Sequence, residues 1–194
     1  MKTLKLKTIL LVVLMFTGTS GFSQTNYTKK SAYPNWSVSP VGGIVFPTGN
    51  MSENFKSGGN VGVDISYRVN KEVGFYGQGG YYFLGSKTAG VPDGKYLEYT
   101  AGPRYYFTAP NLKSSVYLEA GIGAYTFVQD AYVQNEVEIA EVNETRFGYN
   151  AGLGAVLNLG TNVDMLFKVK YNTIQTTGGS SSFIAPVIGM DVRF

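Results

Sequence analysis

Along most of this chain an apolar residue occupies every second position. The clearest run is 61–69, where Val61, Val63, Ile65, Tyr67 and Val69 alternate with Gly62, Asp64, Ser66 and Arg68. A period of two is the signature of a β-strand with one apolar face and one polar face. The same pattern predicts eight strands, over 36–46, 61–69, 73–84, 96–107, 116–128, 145–159, 163–173 and 183–194. In the last of these, Ile184, Pro186, Ile188, Met190, Val192 and Phe194 share one face, opposite Ala185, Val187, Gly189, Asp191 and Arg193. No helical period appears after the first two dozen residues.

Most of these strands are about 10–13 residues long. Strands that cross a bilayer at a tilt need ~9–11 residues, whereas soluble strands average ~5–6. The connections predicted after strands two, four and six are short: Asn70-Lys71-Glu72, residues 108–115 and Gly160-Thr161-Asn162. Those after strands one, three, five and seven are longer, over 47–60, 85–95, 129–144 and 174–182. Short turns at one end and long loops at the other are the habit of outer-membrane barrels. In hydrocarbon only a closed sheet satisfies every backbone N–H and C=O. The predicted fold is therefore an all-β, eight-stranded antiparallel up-and-down transmembrane β-barrel.

Charge fixes which face is which. In this register no Asp, Glu, Lys or Arg falls on the apolar face of any strand. The polar face collects Asp64, Arg68, Glu98, Arg104, Glu119, Arg146, Asp164, Lys168, Lys170, Asp191 and Arg193. With nearly equal numbers of both signs, these residues suit mutual pairing across a narrow lumen better than ion selection, because eight strands leave a bore that side chains just fill. Inward glycines (Gly43, Gly62, Gly74, Gly80, Gly102, Gly121, Gly123, Gly152 and Gly154) leave room for a small water path. Outward aromatics gather near strand ends. Trp36, Tyr67, Phe75, Tyr105, Phe107 and Phe194 form one girdle, and Phe46, Tyr81, Phe83, Tyr99, Phe147 and Tyr171 the other, at the two headgroup levels. Pro40, Pro103 and Pro186 each remove a ladder donor, so bulges are expected there.

The 194 residues include 25 glycines and 15 tyrosines, and charged residues make up 15%. The first 23 residues read as a cleaved secretory signal peptide: Lys2, Lys5 and Lys7, an apolar stretch from Ile9 to Phe16, then Gly21-Phe22-Ser23 before Gln24. A retained single-span anchor is the weaker alternative, because the apolar run falls short of the ~20 residues a spanning helix needs. Residues 24–35 read as a flexible periplasmic lead-in and 36–194 as the barrel domain. Losing the leader removes three lysines and no acid, which cancels the formal charge of +3. Hence the basic balance does not point to nucleic acid.

The absence of Cys removes disulfide, thiolate and lipoprotein chemistry, and the absence of His removes the commonest general base. No cofactor site, metal site or catalytic motif is recognisable. The loop over 129–144 carries Asp130, Glu136, Glu138, Glu141 and Glu144. It could hold Ca²⁺ or a cationic partner through oxygen ligands; the bland alternatives are a solvated loop, or strand extensions through Val137, Ile139 and Val142.

Several stretches carry a family resemblance. They are Gly42-Gly43-Ile44-Val45-Phe46-Pro47-Thr48-Gly49, Ala101-Gly102-Pro103-Arg104-Tyr105-Tyr106-Phe107, Glu119-Ala120-Gly121-Ile122-Gly123-Ala124-Tyr125, the leader ending Gly21-Phe22-Ser23-Gln24 and the terminal Phe194. With them the chain resembles the small eight-stranded outer-membrane barrels of the OmpA/OmpX type, the "outer membrane protein beta-barrel" or porin-family proteins of Gram-negative bacteria. Met190, Val192 and Phe194 resemble their C-terminal assembly signal. The resemblance implies an outer-membrane location with both mature termini periplasmic, and contact with outer-membrane lipids and lipopolysaccharide. It also implies use of the barrel-assembly machinery and a possible extracellular ligand at the loops. Three functions stay open: a non-enzymatic structural or surface-interaction barrel, a passive small-solute channel, and an outer-membrane enzyme. The lack of His weighs against the last.

Overall fold

The computed structural model describes residues 33–107, 114–134, 136–160 and 162–194. The predicted signal peptide, most of the predicted lead-in and most of the turn at 108–115 lie outside the described residues, as does Thr161.

Eight long strands close into one antiparallel barrel: β1 (Asn35–Thr48), β2 (Phe55–Arg68), β3 (Val73–Ser86), β4 (Gly94–Phe107), β5 (Ser115–Gln129), β8 (Val142–Asn158), β9 (Val163–Thr176) and β10 (Gly179–Arg193). Two short strands, β6 (Tyr132–Gln134) and β7 (Val137–Ile139), pair with each other above the barrel. Each strand pairs with its neighbour along the circuit, and β10 returns to β1. The predicted alternation holds throughout: side chains such as Ile122, Leu153 and Val169 face outward and are about half exposed, while their sequence neighbours are buried or partly buried.

The strands are longer than expected, at 14–17 residues. The excess comes from segments that composition marks as loops. The predicted loop 47–60 is mostly strand, with only a helical turn (Met51–Asn54) between β1 and β2. The predicted loop 174–182 is a hairpin in continuous register, from Ile174↔Ser181 to Thr176↔Gly179. The predicted loop 129–144 holds the β6–β7 hairpin, with Val137 and Ile139 in strand and Val142 opening β8. Gly, Ser, Thr and Asn are poor strand formers alone, but here a neighbouring strand already presents its backbone groups for pairing.

The bulges expected at the three prolines do not form. At Pro40 the β1–β10 pairing passes from Val38↔Val192 to Val41↔Gly189, and at Pro186 from Gly43↔Val187 to Phe46↔Ile184, without change of register. Around Pro103 the β4–β5 pairing passes likewise from Ala101↔Ile122 to Arg104↔Glu119. In an antiparallel ladder a residue's N–H and C=O point to the same neighbour, so each proline thins one ladder and leaves the other whole. Two of the three thin the closing seam. Among the described pairs, the register shifts between Phe55 and Gly58.

Turn chemistry is local. Asn70 Oδ1 accepts from the N–H groups of Glu72 and Val73, both at 2.8 Å, an Asx turn that fixes the β2–β3 hairpin. The girdle residues all lie on the outer wall. The Trp36 and Tyr67 rings stand 4.6 Å apart, Tyr105 and Phe107 4.9 Å apart, and Tyr81 and Phe83 5.3 Å apart. Phe194 donates its N–H to Trp36 O at 2.9 Å, across the seam.

The apolar outer wall gives a direct test. Val169, at mid-height on β9, faces outward between Leu153 and Pro186. Val169→Lys is expected to lower the unfolding free energy in lipid vesicles by about 2–4 kcal/mol, and Ser180→Lys near the loop end by about 1 kcal/mol or less. Equal small losses at both positions would show that the wall does not meet hydrocarbon.

Candidate functional site

Residues of β9 mark the layers of the lumen. From the end bearing the termini, its inward face reads Asp164, Leu166, Lys168, Lys170, Asn172 and Ile174, all buried. Polar, apolar, ionic and apolar layers follow one another along the bore.

The central layer joins four charges from four strands. Arg104 grips Asp64 with both terminal nitrogens, Nη1 at 3.0 Å and Nη2 at 2.5 Å. Its Nε donates to Glu119 Oε2 at 2.7 Å. Lys168 Nζ donates to Asp64 Oδ2 at 2.8 Å and to Gln78 Oε1 at 2.7 Å, and lies 3.3 Å from Glu119 Oε1. The Arg104 guanidinium sits between the rings of Tyr76 and Tyr117, 4.6 and 4.7 Å from their centroids. All four charged residues are at most 4% exposed. Two acids and two bases cancel, which is the arrangement a dry interior tolerates.

One layer towards the loops, Glu98 on β4 takes the ammonium of Lys170 and the hydroxyl of Tyr82. Thr100 Oγ1 donates to it at 2.8 Å. Tyr125 Oη lies 2.9 Å from Asn172 Oδ1 and 3.3 Å from Glu98. Above this layer, Val45, Met51, Leu84, Tyr96, Ile174 and Phe183 form an apolar cap.

The remaining predicted charges stand apart from the centre. Arg193 pairs with Asp164 at 3.0 Å near the terminus end, where Asn158 also donates to Asp164 at 2.7 Å. Asp191 accepts from Ser39 at 2.5 Å. Arg68 stacks on Tyr106, 3.9 Å from its centroid, and donates to the carbonyl of Lys71. Arg146 lies at the loop end, half exposed, paired with Glu144 at 2.6 Å. Of the acidic loop residues, Asp130 pairs with Lys95 at 2.8 Å. Among the described residues no three acidic groups converge as a metal site.

At the inward glycines where room was expected, an added Cβ would meet neighbouring atoms. A Cβ on Gly121 would fall 2.2 Å from Tyr76 Oη, and one on Gly154 2.3 Å from Tyr117 Cζ. On Gly102 and Gly123 it would meet the backbone oxygens of Ala120 and Tyr99 at 1.9 and 2.0 Å. Inward tyrosines fill the space the glycines vacate, and the tight strand coiling takes the rest. Sequence reasoning had no role for Tyr76, Gln78, Tyr82, Tyr117, Tyr125, Asn150 and Asn172. Their signal was parity, since each sits on the same face of its strand as the charges.

The sequence matches the family model described as "Outer membrane protein beta-barrel domain" over residues 9–194. No curated protein sequence matches it. Among solved structures it is similar to the neisserial surface protein A (NspA), with a TM-score of 0.63 and 17% identity over 85% of this chain and 100% of that one. OprG of Pseudomonas aeruginosa gives a TM-score of 0.58 at 16% identity, over 84% of this chain and 98% of its own. The N-terminal barrel domain of OprF from the same organism gives 0.56 at 13%, over 84% and 100%. At these identities the likeness is one of fold.

Proposed function

The chain belongs to the outer membrane protein beta-barrel domain family of Gram-negative bacteria, and on that premise we propose that it is a non-enzymatic barrel with a lumen closed to ions, acting through the surface at its loop end. The loop end faces the exterior and both mature termini face the periplasm. Outer-membrane lipids and lipopolysaccharide surround the wall, and the barrel-assembly machinery inserts it. The observation that carries this reading is the central layer. Arg104, Asp64, Glu119 and Lys168 bond to one another across the bore and the guanidinium is clamped between two tyrosine rings. An ion crossing that layer would have to break several charge-assisted hydrogen bonds with little water to replace them.

Planar-bilayer recording tests the closed lumen. The purified protein is expected to give no stable single-channel steps, and Glu119→Gln to leave the trace flat. A reproducible conductance in the unmodified protein that shifts in Glu119→Gln would overturn the reading in favour of a passive channel.

A further inference from the structure

At the loop end, outside the apolar cap, the described residues line a half-open chamber of about 380 Å³. It lies between the helical turn after β1, the β3–β4 loop and the base of the β6–β7 hairpin. One wall is aromatic. The Tyr96 and Phe127 rings stand 4.9 Å apart, and Phe55 meets Phe127 edge-on at 6.0 Å. The rest of the lining includes the neutral polar side chains of Ser86, Thr88 and Gln129. Gln129 is held at the rim, where its Nε2 donates to Pro92 O at 2.9 Å, and its carboxamide keeps acceptor capacity on Oε1. The floor is sealed. Tyr96 packs over Phe183 at 6.2 Å, and Phe183 over Tyr82 at 4.9 Å, above the Glu98 layer.

The chamber is a built feature of the sequence. A Cβ on Gly94 would fall 2.6 Å from Phe55 Cε1 and 3.0 Å from Phe127 Cε2, so only glycine lets the two rings converge there. The volume lies within the ~300–1,000 Å³ range of small-molecule sites.

The lining selects the ligand's chemistry. No charged side chain lines the chamber, so an anionic or cationic ligand would leave water without a counter-charge. Ser86 Oγ and Gln129 Nε2 already bond to the Thr88 backbone and to Pro92 O, but a purely apolar ligand would bury the Thr88 hydroxyl and Gln129 Oε1 without partners, which costs about 1–3 kcal/mol for each. A ring with one face of C–H groups and a rim of hydroxyls satisfies both parts of the lining. We propose that the chamber binds a neutral sugar ring of an oligosaccharide. The ring stacks its C–H face on Phe127 and Tyr96 and gives its hydroxyls to Gln129, Ser86 and Thr88. This rests on the proposed orientation, which places the chamber on the cell exterior.

The test uses the full barrel, refolded in a zwitterionic detergent that carries no sugar headgroup. Saturation-transfer NMR is run with maltotriose, cellotriose and an anionic heparin disaccharide as probes. At least one neutral trisaccharide is expected to bind, and Phe127→Ala and Thr88→Trp are each expected to weaken it about tenfold or more (~1.4 kcal/mol). Both variants should retain the heat-dependent gel shift of a closed barrel. Three results would overturn the proposal: no binding of either neutral sugar, tighter binding of the heparin disaccharide, or neutral binding unchanged in both folded variants. The variant Val133→Cys, labelled in intact cells by a membrane-impermeant maleimide, reports the orientation separately. Labelling there without sugar binding sinks the chamber alone; sugar binding without labelling sinks the orientation alone.

Discussion

Replacing Arg104 by alanine is expected to lower the barrel's unfolding free energy by about 3–5 kcal/mol, the cost of removing one partner from a buried ionic group. Asp64 and Glu119 would then share Lys168 alone, at 2.8 and 3.3 Å, in a layer that bulk water does not reach. Removing the whole set works differently. When Asp64, Arg104, Glu119 and Lys168 are all replaced by apolar residues of similar size, no charge is left to desolvate, and such replacements are often neutral or stabilising. The quadruple variant is therefore expected to be more stable than Arg104→Ala. Urea titration in micelles, read by the heat-dependent gel shift, measures both. A loss below about 1 kcal/mol for Arg104→Ala is what an exposed pair would give, and it would mean that the central layer is hydrated. Salt provides a second discriminator, because buried pairs are screened far less than exposed ones.

How much of this was legible in the sequence depends on which force set each feature. The alternation of Val61 to Val69 with Gly62 to Arg68 fixed the facing of β2, because one misplaced charge in the outer wall is costly. The same logic held for all eight strands, and strand order followed from hairpin connectivity. The segments 47–60 and 174–182, expected as loops, are largely strand for a different reason. Beyond the hydrocarbon, polar residues are admissible on both faces, and Ser180↔Gln175 is held by its ladder partner and not by its side chain. Composition carries no trace of that. The prolines misled in the opposite direction: a missing donor at Pro40 suggested a bulge, yet the β2 side of the strand keeps its ladder intact through Pro40↔Val63. The charge set was readable as a set, but not its partition. Which acid meets which base depends on barrel stagger, and so Arg146 ends at the loop end beside Glu144 while Arg104 reaches both Asp64 and Glu119. Tyrosine was ambiguous for a physical reason. Its ring suits a headgroup girdle, and equally a dry bore where its hydroxyl has a partner, as Tyr82 has in Glu98.

Tyrosine packing in the bore leads to the other large expected effect. Tyr117 and Gly154 face each other across the β5–β8 ladder, and Tyr117 is fully buried. Tyr117→Ala is expected to cost about 3–5 kcal/mol, the range for emptying a buried aromatic site. Gly154→Val should also destabilise, by about 1–3 kcal/mol, because its Cβ would lie 2.3 Å from Cζ and 2.4 Å from Oη of Tyr117. The double variant decides whether the two residues share one space. The three atoms nearest that Cβ all belong to the Tyr117 side chain, so removing the ring makes room for the valine, and the valine fills part of the hole. The double variant should be less destabilised than the sum of the singles by about 0.5–3 kcal/mol. Strict additivity would refute the packing account of the inward glycines. Gly102 provides the contrast, since its Cβ would meet the Ala120 backbone oxygen at 1.9 Å. No side-chain deletion relieves a clash with backbone, so Gly102→Val should resist rescue by any second substitution. A glycine rescued by trimming a tyrosine is there to pack the bore; one that cannot be rescued is there to let the strands coil into a closed barrel.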